Sequence, residues 1–174
     1  MKKLRLLTTS DCLKDCEHCC NKNWDLSKLP IATHFNYDEI LITGGEPLAN
    51  FSIRNTIAVI KKILQNQESH PKIYVYTAWA QGVPAVLYFV NGITLTLHEQ
   101  SDVRAFLELN DLLITFKQFD SVWVKNKSFR LKIFEKVKLD SNIDLSLWQV
   151  EKDLVWVKDC PLPDGEEFKR TELI

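Results

Sequence analysis

Short apolar runs alternate with helical patterns along the first two thirds of the chain, and this alternation most constrains the fold. Each run has the length and the branched or aromatic content of a buried strand. The runs are residues 3–9, 39–43, 73–77 and 92–97. Strands that alternate with helices belong to β/α units, whose strands lie parallel in one sheet. The sequence therefore predicts an α/β fold in which the carboxyl ends of the strands share one edge and carry the chemistry.

Helices are predicted between these strands. Ser52 is placed to cap a helix whose apolar residues recur at helical spacing as far as Leu64. A short helix is predicted around residues 84–89. The Ser-Asp pair at 101–102 is placed to cap a further helix that runs to about Leu109. Each helix would carry the chain back to the start of the next parallel strand.

The last third of the chain breaks this pattern. Residues 129–134 alternate as a strand, and three charged residues separate the runs 145–150 and 154–157, which predicts an antiparallel hairpin. Residues 164–174 are mostly charged and predict a mobile tail. A full eight-unit barrel needs roughly 200 residues or more, whereas this chain has 174. We therefore expect a single domain, residues 1–174, forming an open, partial β/α barrel of about five or six mainly parallel strands.

Three cysteines follow the first predicted strand in the order C-x-x-x-C-x-x-C. They are Cys12, Cys16 and Cys19. A loop that wraps a cube of metal needs ligands close together in sequence. Three thiolates can hold a cubic iron–sulfur cluster and leave its fourth iron without a protein ligand. The spacing therefore favours a cluster whose open iron can bind a small molecule and pass it an electron.

Zinc and disulfide bonds are the alternatives for these cysteines. Zinc needs a fourth ligand, for which Cys20 or His18 is nearby, but zinc sites usually take two ligands from far along the chain, where only Cys160 is present. Disulfide bonding is disfavoured because five cysteines leave one unpaired and because no signal peptide opens the chain. Cys20 is interpreted either as a small buried hydrophobe or as a reactive thiol beside the cluster.

A Gly-Gly-Glu-Pro turn, formed by Gly44, Gly45, Glu46 and Pro47, follows the second predicted strand. Two glycines after a strand let the backbone pass close to a ligand or adopt positive φ. Pro47 fixes the exit from the turn. The carboxylate of Glu46 suits an ammonium group at hydrogen-bond distance. This turn is therefore a candidate site for a ligand that carries an amino group.

Together the two motifs resemble those of the radical S-adenosylmethionine (SAM) enzymes. That family carries C-x-x-x-C-x-x-C after its first strand and a Gly-Gly-Glu-Pro-type turn after its second. The matching segments are residues 11–19 and 43–47. A weaker match lies at residues 92–98, where the family often ends its fourth strand in Ser-Leu-Asp. The clear resemblance covers roughly the first 100 residues, and the remainder matches no named subfamily.

The resemblance implies a role for each motif. The three cysteines would bind a [4Fe-4S] cluster, and Glu46 with the Gly-Gly backbone would receive the methionine amino group of SAM. His18 stands where the family usually has an aromatic residue and would pack near the adenine. Further candidates for ribose or methionine contacts, chosen for their positions at strand ends, are Thr77, Thr96 and His98.

The activity implied by the resemblance is reductive cleavage of SAM, which gives methionine and a 5′-deoxyadenosyl radical that takes a hydrogen atom from the substrate. An external flavodoxin- or ferredoxin-like donor would supply the electron. A protein or peptide substrate is expected, as for the small activating enzymes that place a glycyl radical on a partner. The alternatives are a small metabolite, as for the compact deazaguanine-forming enzymes, and a non-catalytic electron-transfer module. Gly-Gly-Glu-Pro argues against the module, since electron transfer needs no SAM site.

The expectation of a protein substrate follows from the openness of the predicted barrel. A chain of this length does not enclose its own site, although a primary-carbon radical must be kept from water. Either a large partner covers the open side or the C-terminal tail folds over a small ligand. We expect the partner, because the tail is charged and has little apolar surface to bury.

Composition agrees with a cytoplasmic enzyme. The net charge is −1, so nothing overall favours nucleic acid, and no apolar run reaches the roughly 18 residues of a membrane helix. Free thiols and a reduced cluster favour the cytoplasm. Residues 117–138 are locally basic, which indicates either a face for an acidic partner or an ordinary solvated surface.

Overall fold

The structure, a computed structural model, describes residues 1–14, 16, 19–66, 70–157 and 162–172. The predictions made for His18 and Cys160, and for the side chain of Cys20, lie outside what is described. The predicted elements all fall largely within the described ranges, so the fold prediction can be compared with the structure strand by strand.

Seven strands in the described ranges form one parallel, open sheet. They are β1 (Lys3–Leu7), β2 (Glu39–Thr43), β3 (Lys72–Thr77), β4 (Gly92–Leu97), β5 (Ser128–Phe134), β6 (Gln149–Leu154) and β7 (Glu166–Arg170). Their order across the sheet is β6-β5-β4-β3-β2-β1-β7. Each neighbouring pair is parallel, and the edge strands β6 and β7 do not pair with each other. The predicted α/β class is confirmed, and the first five strands lie where the sequence places them.

In the described part of the chain, two α-helices connect the strands, α1 (Ile53–Leu64) and α2 (Asp102–Gln118). The predicted short helix is instead two 3₁₀ segments, Ala80–Ala85 and Leu87–Phe89. The predicted end of α2 near Leu109 is wrong, because the buried face of this helix continues to Leu113.

The serine caps predicted for the two helices are not formed by the side chains. The hydroxyl of Ser52 donates instead to Oγ1 of Thr9, over 3.3 Å. The hydroxyl of Ser101 lies 3.3 Å from Oε2 of Glu99. Ser52 therefore links the start of α1 to the segment that follows β1.

The core lies between the helices and one face of the sheet. Alternate strand residues are almost fully buried there, together with the inner residues of both helices. Examples are Leu4, Ile42, Val75, Leu95, Leu131, Ile60 and Phe106. The intervening strand residues belong to the opposite face, which is polar and includes Arg5, Tyr76 and Arg130. The cavities considered below open on this polar face.

The predicted antiparallel hairpin is wrong. Its charged separator, Glu151-Lys152-Asp153, lies inside β6, which pairs with β5 in parallel. An edge strand tolerates charged residues, since one side of it faces solvent. Here Glu151 Oε2 forms an ion pair with Lys132 Nζ, 3.4 Å away. The three charged residues of this segment therefore indicate an edge strand rather than a turn.

The predicted mobile tail is also wrong, because part of it forms β7. This strand pairs with β1 along its whole length. Two of its charged residues have partners on neighbouring segments: Arg5 Nη2 lies 2.9 Å from Glu166 Oε2, and Tyr37 donates its hydroxyl to Glu167 over 3.0 Å. The sheet consequently has seven strands instead of the five or six expected.

Candidate functional site

One cavity of about 240 Å³ collects nearly all of the predicted site residues. It lies at the carboxyl ends of the strands. The predicted residues that line it are Cys12, Cys16, Cys19, Gly44, Gly45, Glu46, Thr77, Thr96 and His98. A neighbouring cavity is larger, at about 320 Å³, but no thiol lines it. Chemistry rather than size therefore distinguishes the candidate site.

The part of the cavity lining formed by the cysteine loop and the glycine turn is named the thiol wall. It consists of Cys12, Lys14, Cys16, Cys19, Asn21, Gly44, Gly45 and Glu46. The three cysteines are free thiols, so the alternative of a disulfide among them is wrong. Asn21 donates its side-chain amide to the carbonyl of Gly44 over 2.7 Å. The segment just after the cysteines is thereby fixed to the glycine turn.

The two glycines are required by the chain's own backbone. Gly45 N–H donates to Thr9 O over 2.8 Å, and Glu46 N–H donates to Asp11 O over 2.7 Å. A Cβ at Gly45 would lie 2.1 Å from Asp11 O, and one at Gly44 would lie 2.7 Å from Thr9 O. Neither glycine has positive φ. The close approach predicted for this turn is therefore made by the start of the cysteine loop.

Glu46 is buried and already satisfied by three donors. Its Oε1 accepts from Leu48 N–H over 3.1 Å and from the Thr77 hydroxyl, and its Oε2 accepts from Ala78 N–H over 2.7 Å. Burial raises the pKa of Glu46 above its usual range, and the three hydrogen bonds oppose this. A carboxylate offers about four acceptor positions, so roughly one remains on Oε2 for a ligand.

The hydroxyl of Thr77 is committed to Glu46, and it also accepts from Trp79 N–H over 2.9 Å. It orients the carboxylate rather than offering a free contact. Pro47 does not line the cavity. Its carbonyl accepts from the Thr56 hydroxyl over 2.7 Å, which joins the turn to α1.

Lys14 ties the cysteine loop to the start of α2. Its Nζ lies 2.5 Å from Asp102 Oδ1, and the two side chains are only 19% and 12% exposed. The other carboxylate oxygen of Asp102 accepts from the N–H groups of His98 and Glu99, over 2.9 and 3.1 Å. Sequence analysis missed this pair, because residues so far apart along the chain show no local pattern.

Burial raises the pKa values of the Cys12 and Cys16 thiols above their usual range. Proximity to Cys19 raises both further. The thiols are thus protonated at neutral pH, and a metal that binds them must displace their protons. Lys14 opposes the effect by stabilising negative charge at both sulfurs.

Six apolar or ring-bearing residues that line the rest of the cavity are together named the aromatic wall, and sequence analysis missed most of them. It consists of Trp24, Tyr76, His98, Trp156, Leu162 and Phe168. The His98 ring stacks on Trp156 with centroids 5.0 Å apart and planes 21° apart. Trp24 meets Phe168 edge to face at 5.5 Å. Leu162 and Phe168 belong to the last segment of the chain, so this segment forms part of the site.

His98 is neutral at pH 7. Burial, followed by the positive charge of Lys14, lowers its pKa to about 4. Its Nδ1 is buried and has no hydrogen-bond partner among the residues described. Thr96, two residues earlier in the chain, lines the same cavity. His98 therefore presents an uncharged ring, with one unsatisfied nitrogen, beside the cavity.

The residues present fit an iron–sulfur cluster in the kind of donor they supply. Within the described ranges, no three His, Cys, Asp or Glu side chains are already arranged to hold a metal ion. The three free thiols of one loop nevertheless line a single cavity. Three thiolates from one short segment are the donor set that such a cluster needs.

Comparison with models of protein families, with curated proteins and with solved structures found no match for this chain. In the part of the chain that the structure describes, no helix is both long enough and apolar enough to cross a membrane. Function is therefore inferred from the spacing of the motifs and from the cavity that they share.

Proposed function

We propose that this protein is a radical SAM enzyme that binds a [4Fe-4S] cluster through Cys12, Cys16 and Cys19 in a partial β/α barrel. One observation carries the proposal: a single cavity is lined by the three thiols and by the Gly-Gly-Glu turn that holds their loop in place. When bound, such a cluster would supply the electron for reductive cleavage of SAM, whose radical product takes hydrogen from the substrate.

The residues around the thiols suit that cofactor pair. Lys14 places a positive charge beside Cys12 and Cys16, two of the three proposed ligands. The remaining acceptor position on Glu46 Oε2 suits the methionine ammonium group of SAM. The uncharged ring of His98 and the rings of Trp156 and Phe168 supply apolar surface to the same cavity.

The aromatic wall favours a small substrate over a protein. We expected a partner because the charged C-terminal tail offered little apolar surface to cover the site. Leu162 and Phe168 of that segment nevertheless line the cavity. A protein or peptide substrate keeps one supporting observation. Leu13 and Val157 are 67% and 62% exposed, and each is next in sequence to a residue of the cavity.

The test is anaerobic reconstitution with iron and sulfide. About four irons per chain are expected, as a cubane requires. Cys16→Ala should abolish this loading, whereas the matched variant Cys20→Ala should retain it. With dithionite and SAM, the loaded protein should release 5′-deoxyadenosine, measured by chromatography. Tight zinc without iron, or full iron loading in Cys16→Ala, would refute the proposal.

A further inference from the structure

A second cavity on the polar face of the sheet is centred on Arg130. This residue lies exposed in the middle of β5 and is in register with Thr94 on β4 and Gln149 on β6. All three line the cavity of about 320 Å³, together with Tyr76. Tyr76 also lines the candidate site. The two cavities therefore share one side chain.

Arg130 differs from three other cations on this face, each of which is paired with a carboxylate on the adjacent strand. The pairs are Lys3–Glu39 at 3.2 Å, Arg5–Glu166 at 2.9 Å and Lys132–Glu151 at 3.4 Å. Within the described ranges, Arg130 has no carboxylate within ion-pair distance. The local balance of charge around it is therefore positive.

The cavity around Arg130 is also lined by Glu151, by Lys132, which is paired with that carboxylate, and by neutral groups with unused hydrogen-bonding capacity. In the portion of the chain that is described, the Tyr76 phenol, the Thr94 hydroxyl and the Gln149 amide make no side-chain hydrogen bonds. Each of these groups can donate. A guanidinium surrounded by free donors is a complementary environment for an anion, because its planar fork binds carboxylate or phosphate oxygens in pairs.

The distance between the two cavities suits a substrate that spans both. Neighbouring strands lie about 4.8 Å apart, so β3 and β5 are separated by about 10 Å. Thr94 on β4 lies between them and lines the same cavity. An anionic group held at the guanidinium would leave the rest of a small molecule to extend past Tyr76 toward the thiol wall.

We propose that Arg130 is the centre of an anion-binding subsite, which holds the carboxylate or phosphate group of a small substrate. The reaction on that substrate rests on the proposed function, but the binding of the anion does not. Tyr76, Thr94 and Gln149 supply the further donors. The positive charge and the free donors select for an anionic group, and the shared wall places it next to the site of chemistry.

The experiment is a titration of the full chain with inorganic phosphate and, separately, with succinate. Binding is followed by the NMR signal of the Arg130 Nε–H group, assigned by its loss in Arg130→Gln, and by calorimetry. At least one anion should shift that signal saturably. Arg130→Gln should weaken binding at least tenfold, whereas the matched exposed variant Arg104→Gln should not change it. Arg130→Lys, which keeps the charge but loses the fork, should fall between them.

Saturation by phosphate alone or by succinate alone would identify the anionic group, and either result supports the subsite. Equal affinity in Arg130→Gln, or no saturation with either anion, would overturn it. Saturable binding of a glutamate-rich peptide without binding of either small anion would overturn the small-substrate subsite and indicate a peptide-binding site instead. Iron loading is measured on the same samples. Failure to load iron with normal anion binding would reject the proposed function and leave the subsite standing.

Discussion

The thiol wall and the aromatic wall enclose the same cavity but are held in place by different interactions. Backbone hydrogen bonds from Gly45 and Glu46 fix the thiol wall, and no room remains for a Cβ at the glycines. Ring contacts such as that of Trp24 with Phe168 hold the aromatic wall, and its members are partly exposed. We therefore expect the glycine turn of the first wall to tolerate little substitution. We expect side chains of the second wall to be replaceable at a smaller cost in stability.

The largest difference is expected between two glycine variants. In Gly45→Ala the new Cβ would lie 2.1 Å from the Asp11 carbonyl oxygen, so the free energy of unfolding should fall by at least about 3 kcal/mol. Gly165, which leads into β7, has open space around it and φ of +81°. Gly165→Ala should cost only about 1–2 kcal/mol, from its left-handed backbone. Urea denaturation measures both, and equal losses would show that the start of β7 is as tightly fixed as the glycine turn of the thiol wall.

Two Glu→Gln variants test the same contrast through polar groups. Glu46 is buried with three donors aimed at its carboxylate, and an amide would turn its NH₂ toward one of them. Glu46→Gln should therefore lower the free energy of unfolding by about 2 kcal/mol. SAM affinity of the loaded protein should fall about ten- to a hundredfold, because an ammonium loses its charged partner.

The matched variant is Glu167→Gln on β7. Its exposed carboxylate accepts from Tyr37 and Lys169, and exposed pairs of this kind contribute little. We expect a change in unfolding free energy of less than about 1 kcal/mol. A cost as large as that of Glu46→Gln would show that the edge strand is as tightly fixed as the thiol wall.

The sequence predicted the thiol wall well because its signals are local. Cysteine spacing, paired glycines and apolar runs of strand length all lie within a few residues of one another, and the turn after β2 lies beside the cysteine loop as parallel strands require. The local pattern did not reveal why glycine is required at positions 44 and 45. They accommodate the backbone of residues 9–11, which is a tertiary contact.

The aromatic wall could not be predicted from local pattern. β6 and β7 are charged edge strands, and their strand character comes from pairing with β5 and β1 rather than from alternation of apolar residues. The sequence pattern therefore predicts a hairpin at Trp156 and a mobile tail at Phe168, and both predictions are wrong. The Lys14–Asp102 pair was missed for the same reason, since its partners meet only in the folded chain.

His98 allows the junction of the two walls to be tested by pH. Because its pKa is lowered to about 4, the folded protein favours the neutral ring. Its contribution to stability is full above the unfolded value of about 6.5 and is lost as pH falls toward 4. Allowing for partial exposure, we expect about 2 kcal/mol of stability to be lost between these limits.

His98→Phe should flatten that dependence, since it keeps a ring against Trp156 and Phe134 but cannot titrate. Urea denaturation at pH 7 and pH 4.5 provides the comparison. His34→Phe is the matched control, because His34 is exposed and its loss should leave the slope unchanged. Identical slopes in wild type and His98→Phe would show that the ring is not buried against the aromatic wall.

Phe168→Ala is expected to have only a small effect on stability, and it decides whether the two walls are separable. Phe168 is only partly buried, and its truncation removes the edge-to-face contact with Trp24, so the unfolding free energy should fall by about 1 kcal/mol. Iron loading should remain at the wild-type level, because no thiol and no backbone bond of the glycine turn depends on this ring. Phe51→Ala, at a side chain 46% exposed outside the cavity, controls for loss of an aromatic group. If Phe168→Ala lost iron as completely as Cys16→Ala, the aromatic wall would be part of the proposed cluster site, and the two walls would not be separable.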